Sequence, residues 1–121
     1  IATSFLVQKA LVAAERLAEE GIDVEVVDLR SLNPLDKETM RKSVEKTGRV
    51  VIADEGHLTC GVGAELAAII AYECFDYLNA PIERVATKDV PIPFSPPMEM
   101  YVVPNEERIF EAVKRVLGKK V

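Results

Sequence analysis

The run Arg49-Val50-Val51-Ile52-Ala53-Asp54 constrains this chain more than any other stretch. Four consecutive apolar residues, three of them β-branched, read as a strand, and the lack of alternation means that both of its faces are buried. Such a strand needs a layer of helices above it and another below.

The rest of the sequence supplies them. Residues 1–4 read as the end of a strand. Over residues 5–20, Leu6, Ala10, Ala13 and Leu17 recur at helical spacing, and Gly21 stands where a helix-terminating glycine belongs. Val24, Val26, Val27 and Leu29 mark a strand over 23–29. After a turn through Asn33-Pro34, Asp36 is placed to cap a helix that runs to Thr47 and closes at Gly48. A loop over 55–63 leads from the apolar strand into a helix over 64–78, and Pro81 introduces a strand over 82–87. Five of the seven prolines fall between Asp89 and Pro104, which predicts a stiff, extended strap. Asn105 caps a last helix with Ile109, Val113, Val116 and Leu117 on its inner face.

Strands alternating with helices predict a three-layer α/β/α sandwich around a mostly parallel sheet of about five strands. The loops that follow the strand C-termini share one edge of that sheet. A chain of 121 residues is one domain, 1–121. It begins at Ile1, without Met and inside a strand, and so reads as a piece of something longer.

Composition removes several function classes. With 49% hydrophobic and 29% charged residues the chain is neither disordered nor collagen-like. Fifteen basic against twenty acidic residues give a charge of −5, which disfavours nucleic acid or an anionic membrane as partner. Cys60 and Cys74 are too few for a disulfide scaffold and point to a reducing compartment, here the cytoplasm. No apolar stretch has the length to span a bilayer, and no signal peptide is recognisable.

Chemistry-bearing residues concentrate in Asp54-Glu55-Gly56-His57-Leu58-Thr59-Cys60-Gly61-Val62-Gly63-Ala64-Glu65. One reading is an anion-binding or active-site loop, with helix-start N–H groups on a phosphate or carboxylate and His57 as acid or base. The other is structural: Gly61 and Gly63 permit a tight turn and close packing of helix on sheet. The residues favour the structural one. The glycine spacing matches neither a Walker A loop nor a dinucleotide fingerprint. Cys60 three residues from His57 is weak grounds for a nucleophile–base pair, and one His with two distant Cys makes no metal set.

The helix segment AELAAIIAY, with Leu66, Ile69, Ile70 and Tyr72, is apolar nearly all round. Either a second chain covers it or a second layer of this chain does. The proline-rich strap carries Phe94, Met98, Met100 and Tyr101 and is either a cover or a docking surface. Glu38/Lys42 and Glu111/Arg115 have the favourable i,i+4 order of solvated helix faces.

Taken in order, the motifs resemble a known family. Gly21-Ile22-Asp23-Val24-Glu25-Val26-Val27-Asp28-Leu29-Arg30-Ser31-Leu32-Asn33-Pro34-Leu35-Asp36 is similar to the C-terminal domain of the β subunits of thiamine-diphosphate-dependent 2-oxo acid dehydrogenases, and to the wider transketolase C-terminal domain. Asp54-Glu55, Gly61, Gly63 and Glu65 resemble the family's following strand, loop and helix. Ala80-Pro81-Ile82-Glu83-Arg84-Val85, Asp89-Val90-Pro91-Ile92-Pro93-Phe94 and Val103-Pro104 then follow as in those subunits.

The resemblance implies a division of labour. The preceding domain of the β subunit holds the cofactor's pyrimidine, and the E1 α subunit holds its diphosphate and Mg. This domain binds no cofactor, and alone it decarboxylates nothing. It makes contacts with a second β subunit and helps to dock the E2 acyltransferase, which gives Leu66, Ile69, Ile70, Tyr72, Phe94 and Met98 an interface role. The loop bearing His57 lies at the entrance of the active site. Docking in relatives uses acidic groups near the C-terminus, whereas this chain ends Gly118-Lys119-Lys120-Val121. The intact enzyme would be of the pyruvate, branched-chain 2-oxo acid or acetoin type, decarboxylating its substrate on thiamine diphosphate and passing the acyl group to a lipoyl arm.

Two alternatives compete with that expectation. A receiver-like signalling module would need an acidic pair after its first strand, where this chain has Ala2-Thr3-Ser4-Phe5. A transketolase-type enzyme shares the fold, but Pro91-Ile92-Pro93-Phe94 favours the dehydrogenase β subunit.

Overall fold

A computed structural model describes residues 1–118; the Lys119-Lys120-Val121 end lies outside the described residues. Helix α1 (Phe5–Glu19) buries Leu6, Ala10, Ala13 and Leu17, the four positions the spacing selects. Helix α2 (Lys37–Thr47) starts where the Asp36 carboxylate accepts the Thr39 N–H at 3.0 Å, and it stops at Gly48, whose φ is +69°. Strand β1 (Val51–His57), helix α3 (Val62–Glu73), strand β2 (Glu83–Thr87), helix α4 (Pro96–Val102) and helix α5 (Glu106–Val116) complete the order.

β1 and β2 pair in parallel, Val51 opposite Glu83 and Ala53 opposite Val85. Ala2 extends this sheet by bridging Ala53 on one side and Asp28 on the other, again in parallel. Among the described residues four segments thus lie side by side, two of them full strands. Residues 23–29 run extended, yet among the described residues their backbone pairs only with residues 1–3: the Ala2 N–H donates to Val27 O and the Leu29 N–H to Ala2 O, while Val24 packs by its side chain against the core. A ladder needs a partner along its length, so this one is a single bridge.

The three layers follow from β1 itself. Ala53 faces one core with α1 and α5, formed by Leu6, Leu17, Val85, Ile109 and Phe110 among others. Ile52 faces the other with α2 and α3, around Met40, Val44, Leu66, Ile70 and Cys74. Continuous apolarity in the sequence therefore reports burial on both faces.

Three boundaries differ from expectation. β1 runs to His57 rather than Asp54, because the buried Thr87 keeps the pairing going: its hydroxyl donates to Glu55 O at 2.6 Å, and its carbonyl accepts the Leu58 N–H. The helix after it ends at Glu73, and a 3₁₀ turn (Phe75–Tyr77) replaces its last turn. The strap is not wholly extended, since Pro96 and Pro97 open α4; a first helical turn has no use for the N–H groups that proline lacks. Asn105 caps α5 as its position predicts, accepting the Arg108 N–H at 2.9 Å. The Glu38–Lys42 pair forms on α2, whereas Arg115 turns away from Glu111 to Glu83 on β2.

Candidate functional site

The C-terminal edge of the sheet carries the loop after β1 and the segment after β2, and the fold ties them together. Leu58 O accepts from Arg84 Nη1 at 2.9 Å, and the Thr59 N–H donates to the Asp89 carboxylate at 3.0 Å. The Thr59 hydroxyl binds the same carboxylate. These two bonds hold Asp89 below the usual carboxylate range, aided by the nearby His57 and Arg84 and opposed by burial. His57 Nε2 lies 3.1 Å from Val90 O, a carbonyl that can only accept, so Nε2 carries the proton. His57, Thr59, Asp89, Val90 and Pro91 form a shallow, open surface.

Cys60 is exposed with φ +59°, and the ring of His57 is engaged by Val90 rather than by the thiol. A nucleophile–base pair is therefore not assembled. The anion-binding reading of the helix start is corrected as well, because an internal carboxylate occupies that place. Asp54, 8% exposed, accepts the Gly63 N–H at 3.0 Å through one oxygen and the Gly56 N–H at 3.0 Å through the other. A Cβ on Gly61 would collide with His57 O, whereas one on Gly63 would only touch Asp54 and Ile52 at ordinary contact distance. Gly61 is there for close approach. The sequence carries this signal as an Asp at a strand end nine residues before a glycine on the next helix.

Thiamine diphosphate, implied by the resemblance, does not fit the residues of this edge. The amide of Gly63 is taken by Asp54 and that of Ala64 by Gly61 O. Among the described residues no three His, Cys, Asp or Glu side chains gather to hold a metal ion.

The apolar residues divide sharply. Leu66 and Ile70 are 3% and 1% exposed in the core between α3 and the sheet, so the interface role expected of them is corrected: their own chain covers them. Ile69 is half-buried against the same core. Tyr72, 90% exposed, sits with Phe75 and Tyr77 at the far end of α3. Phe94 is fully exposed, and Met98, Met100 and Tyr101 follow it on α4. Yet the strap is anchored. Arg108 donates to Ala86 O at 2.7 Å and to Val102 O at 3.3 Å, and the Lys88 N–H donates to Val102 O. Lys88 Nζ also stands 3.8 Å from the centre of the Tyr101 ring, and the nearby ammonium lowers the pKa of the phenol. Phe94 thus stands exposed on a segment whose two ends are anchored.

Comparison with known proteins agrees with this architecture. The family "Transketolase, C-terminal domain" matches residues 1–109. The chain is 50% identical over 113 residues to the pyruvate dehydrogenase E1 component subunit beta of Rickettsia felis, covering 93% of this chain and 35% of that protein. It is 49% identical over 112 residues to the mitochondrial beta-1 subunit of Arabidopsis thaliana, covering 93% of this chain and 31% of that protein. A solved split-gene transketolase, described as an inactive β4 tetramer, superposes with a TM-score of 0.81 at 32% identity, over 99% of this chain and 38% of the other. The chain thus spans about a third of the length of the relatives it matches. The receiver-like alternative falls, and the resemblance read from the ordered motifs holds. The chain belongs to the transketolase C-terminal domain family.

Proposed function

We propose that these residues form the C-terminal domain of the β subunit of a pyruvate-type 2-oxo acid dehydrogenase E1 component, and that the domain serves assembly. The identity of about half to pyruvate dehydrogenase β subunits, against 32% to the split transketolase, supports the dehydrogenase branch. The observation that carries the assembly role is the exposed apolar strap with Phe94 at its tip, anchored by Arg108 and Lys88.

On this reading the partners are the E1 α subunit, a second β subunit and the E2 acyltransferase. Thiamine diphosphate and Mg belong to the intact enzyme, held by parts outside this chain, and supply the decarboxylation chemistry. The working compartment is the cytoplasm. Among the described residues no helix is long and apolar enough to cross a membrane. His57 stands at the rim facing the active site, where its bond to Val90 O positions the start of the strap.

The test is reconstitution. The longer β subunit that contains this domain, mixed with its α subunit, is expected to decarboxylate pyruvate when given thiamine diphosphate and Mg. The 121-residue chain mixed with the same α subunit is expected to show no turnover. Activity of the short chain, or none in the long one with any 2-oxo acid, contradicts the assignment.

A further inference from the structure

The strap buries almost nothing of itself. From Asp89 to Tyr101 every residue is exposed except Pro93, which is half-buried. Between Pro91 and Met100 the backbone bonds found among the described residues stay within the strap: the Glu99 N–H donates to Ser95 O, and Glu99 O accepts from the Val103 N–H. Pro91, Pro93, Pro96 and Pro97 fix φ along this stretch, so it keeps its shape without packing on the domain. Neither core draws a residue from 89–103.

What closes the strap is its base. The Lys88 N–H donates to Val102 O at 3.2 Å, and Val102, 5% exposed, is the one buried side chain of residues 89–102. Arg108 reaches in from α5, with Nη1 donating to Val102 O at 3.3 Å and Nη2 to Ala86 O of β2 at 2.7 Å. One guanidinium thus clamps α5, β2 and the end of α4. Both acceptors are uncharged carbonyls, and among the described residues no carboxylate pairs with it. Burial lowers the pKa of Arg108, Arg115 adds to the effect and Glu111 opposes it. Opening the base returns this charge to water, which offsets part of the two bonds lost. The front of the strap is tied differently: Asp89 and Val90 are bound to the loop after β1 through Thr59 and His57.

We infer that the strap is a hinged arm that opens as one unit about the Asp89–Val90 tie, with Arg108 as its latch, while the α/β core stays folded. Opening parts Val102 from Lys88 and Ala86 and exposes a single apolar side chain. It carries Phe94 to a new place relative to the sheet and leaves both cores untouched. The motion belongs to this chain and is independent of which partner meets Phe94.

The experiment uses the longer β subunit that contains these residues, without its partners, carrying Val102→Cys. Labelling of the introduced thiol and of Cys74, buried in the core under α3, is followed site by site by peptide mass spectrometry. The introduced thiol is expected to react at least about tenfold faster than Cys74. Arg108→Lys keeps the charge but lacks the fork that spans two carbonyls, and is expected to speed that thiol about tenfold more without changing Cys74. Amide exchange gives the same reading with Val102 intact: Arg108→Lys is expected to speed the Lys88 amide about tenfold and to leave the Ala53 and Thr59 amides as they were. Equal acceleration of both thiols overturns the inference, because the core would then open with the strap. So does a Lys88 amide indifferent to Arg108→Lys. A Thr59 amide that speeds up together with Lys88 overturns it too, since the strap would then detach at both ends rather than pivot on Asp89.

Discussion

The carboxylate of Asp54, at the buried end of the central strand, accepts the backbone N–H of Gly63 in the first turn of α3 at 3.0 Å. That bond sets where the helix starts and how closely it lies on the sheet, and with Gly56 it folds the intervening loop back on itself. Replacing Asp54 with Ala leaves the buried Gly63 N–H and the more exposed Gly56 N–H without their acceptor. Asp54→Ala is expected to cost about 1–3 kcal/mol in urea unfolding.

Gly61 is constrained by space rather than by dihedral angle, since its φ is −82° and a Cβ there would collide with His57 O. Gly61→Ala is expected to cost about 1–3 kcal/mol and to disturb the His57–Val90 contact. By comparison Gly21, whose added Cβ meets nothing, carries only the cost of φ +77°, about 1 kcal/mol in Gly21→Ala. Equal losses at the two positions would contradict the packing role given to Gly61.

The two thiols should separate cleanly. Cys60 is exposed, while Cys74 is buried among Met40 and Ile70, and burial raises its pKa. A thiol reagent at neutral pH is expected to label Cys60 alone in the folded chain and to reach Cys74 only in denaturant. Prompt labelling of both would mean that the core under α3 opens readily.

A chain made to begin at Ile1 should gain stability as pH rises from about 6 to 8. Burial lowers the Ile1 ammonium from its usual 8.0 to about 6. Between those values the unfolded chain holds a proton that the folded chain does not, so stability is complete above 8 and falls as pH drops through 6. The gain is on the order of 2 kcal/mol. Asp23, Glu25 and Arg49 line the same cavity as Ile1. Acetylating the terminus, which removes the titrating group, should flatten the slope.

Much of this fold was legible because its rules are local. The spacing of Leu6, Ala10, Ala13 and Leu17 named the inner face of α1, and Asp36 with Gly48 bounded α2. The run around Ile52 announced a sheet covered on both sides. What was hidden depends on distant partners. Residues 23–29 have the composition of a strand but find only residues 1–3 to pair with. Leu66 and Ile70 sit among apolar neighbours all round the helix, so sequence alone could not tell which of them the core would claim. Asp54 looked like a candidate for chemistry until the loop folded back and gave it two amides to bind. His57 lies at the end of β1, and its partner, Val90 O, is 33 residues away, a contact that no local spacing announces.

Association of the complete β subunit with its partners tests the assembly role most directly, measured by sedimentation velocity on the wild type and on Phe94→Ala/Met98→Ala. Both side chains are exposed, so the double variant should fold with stability within about 0.5 kcal/mol of wild type. The expected result is a loss of at least about tenfold in affinity for the α subunit or the second β subunit, with an unchanged unfolding midpoint. Unchanged association in a normally folded variant would contradict the strap's role in assembly.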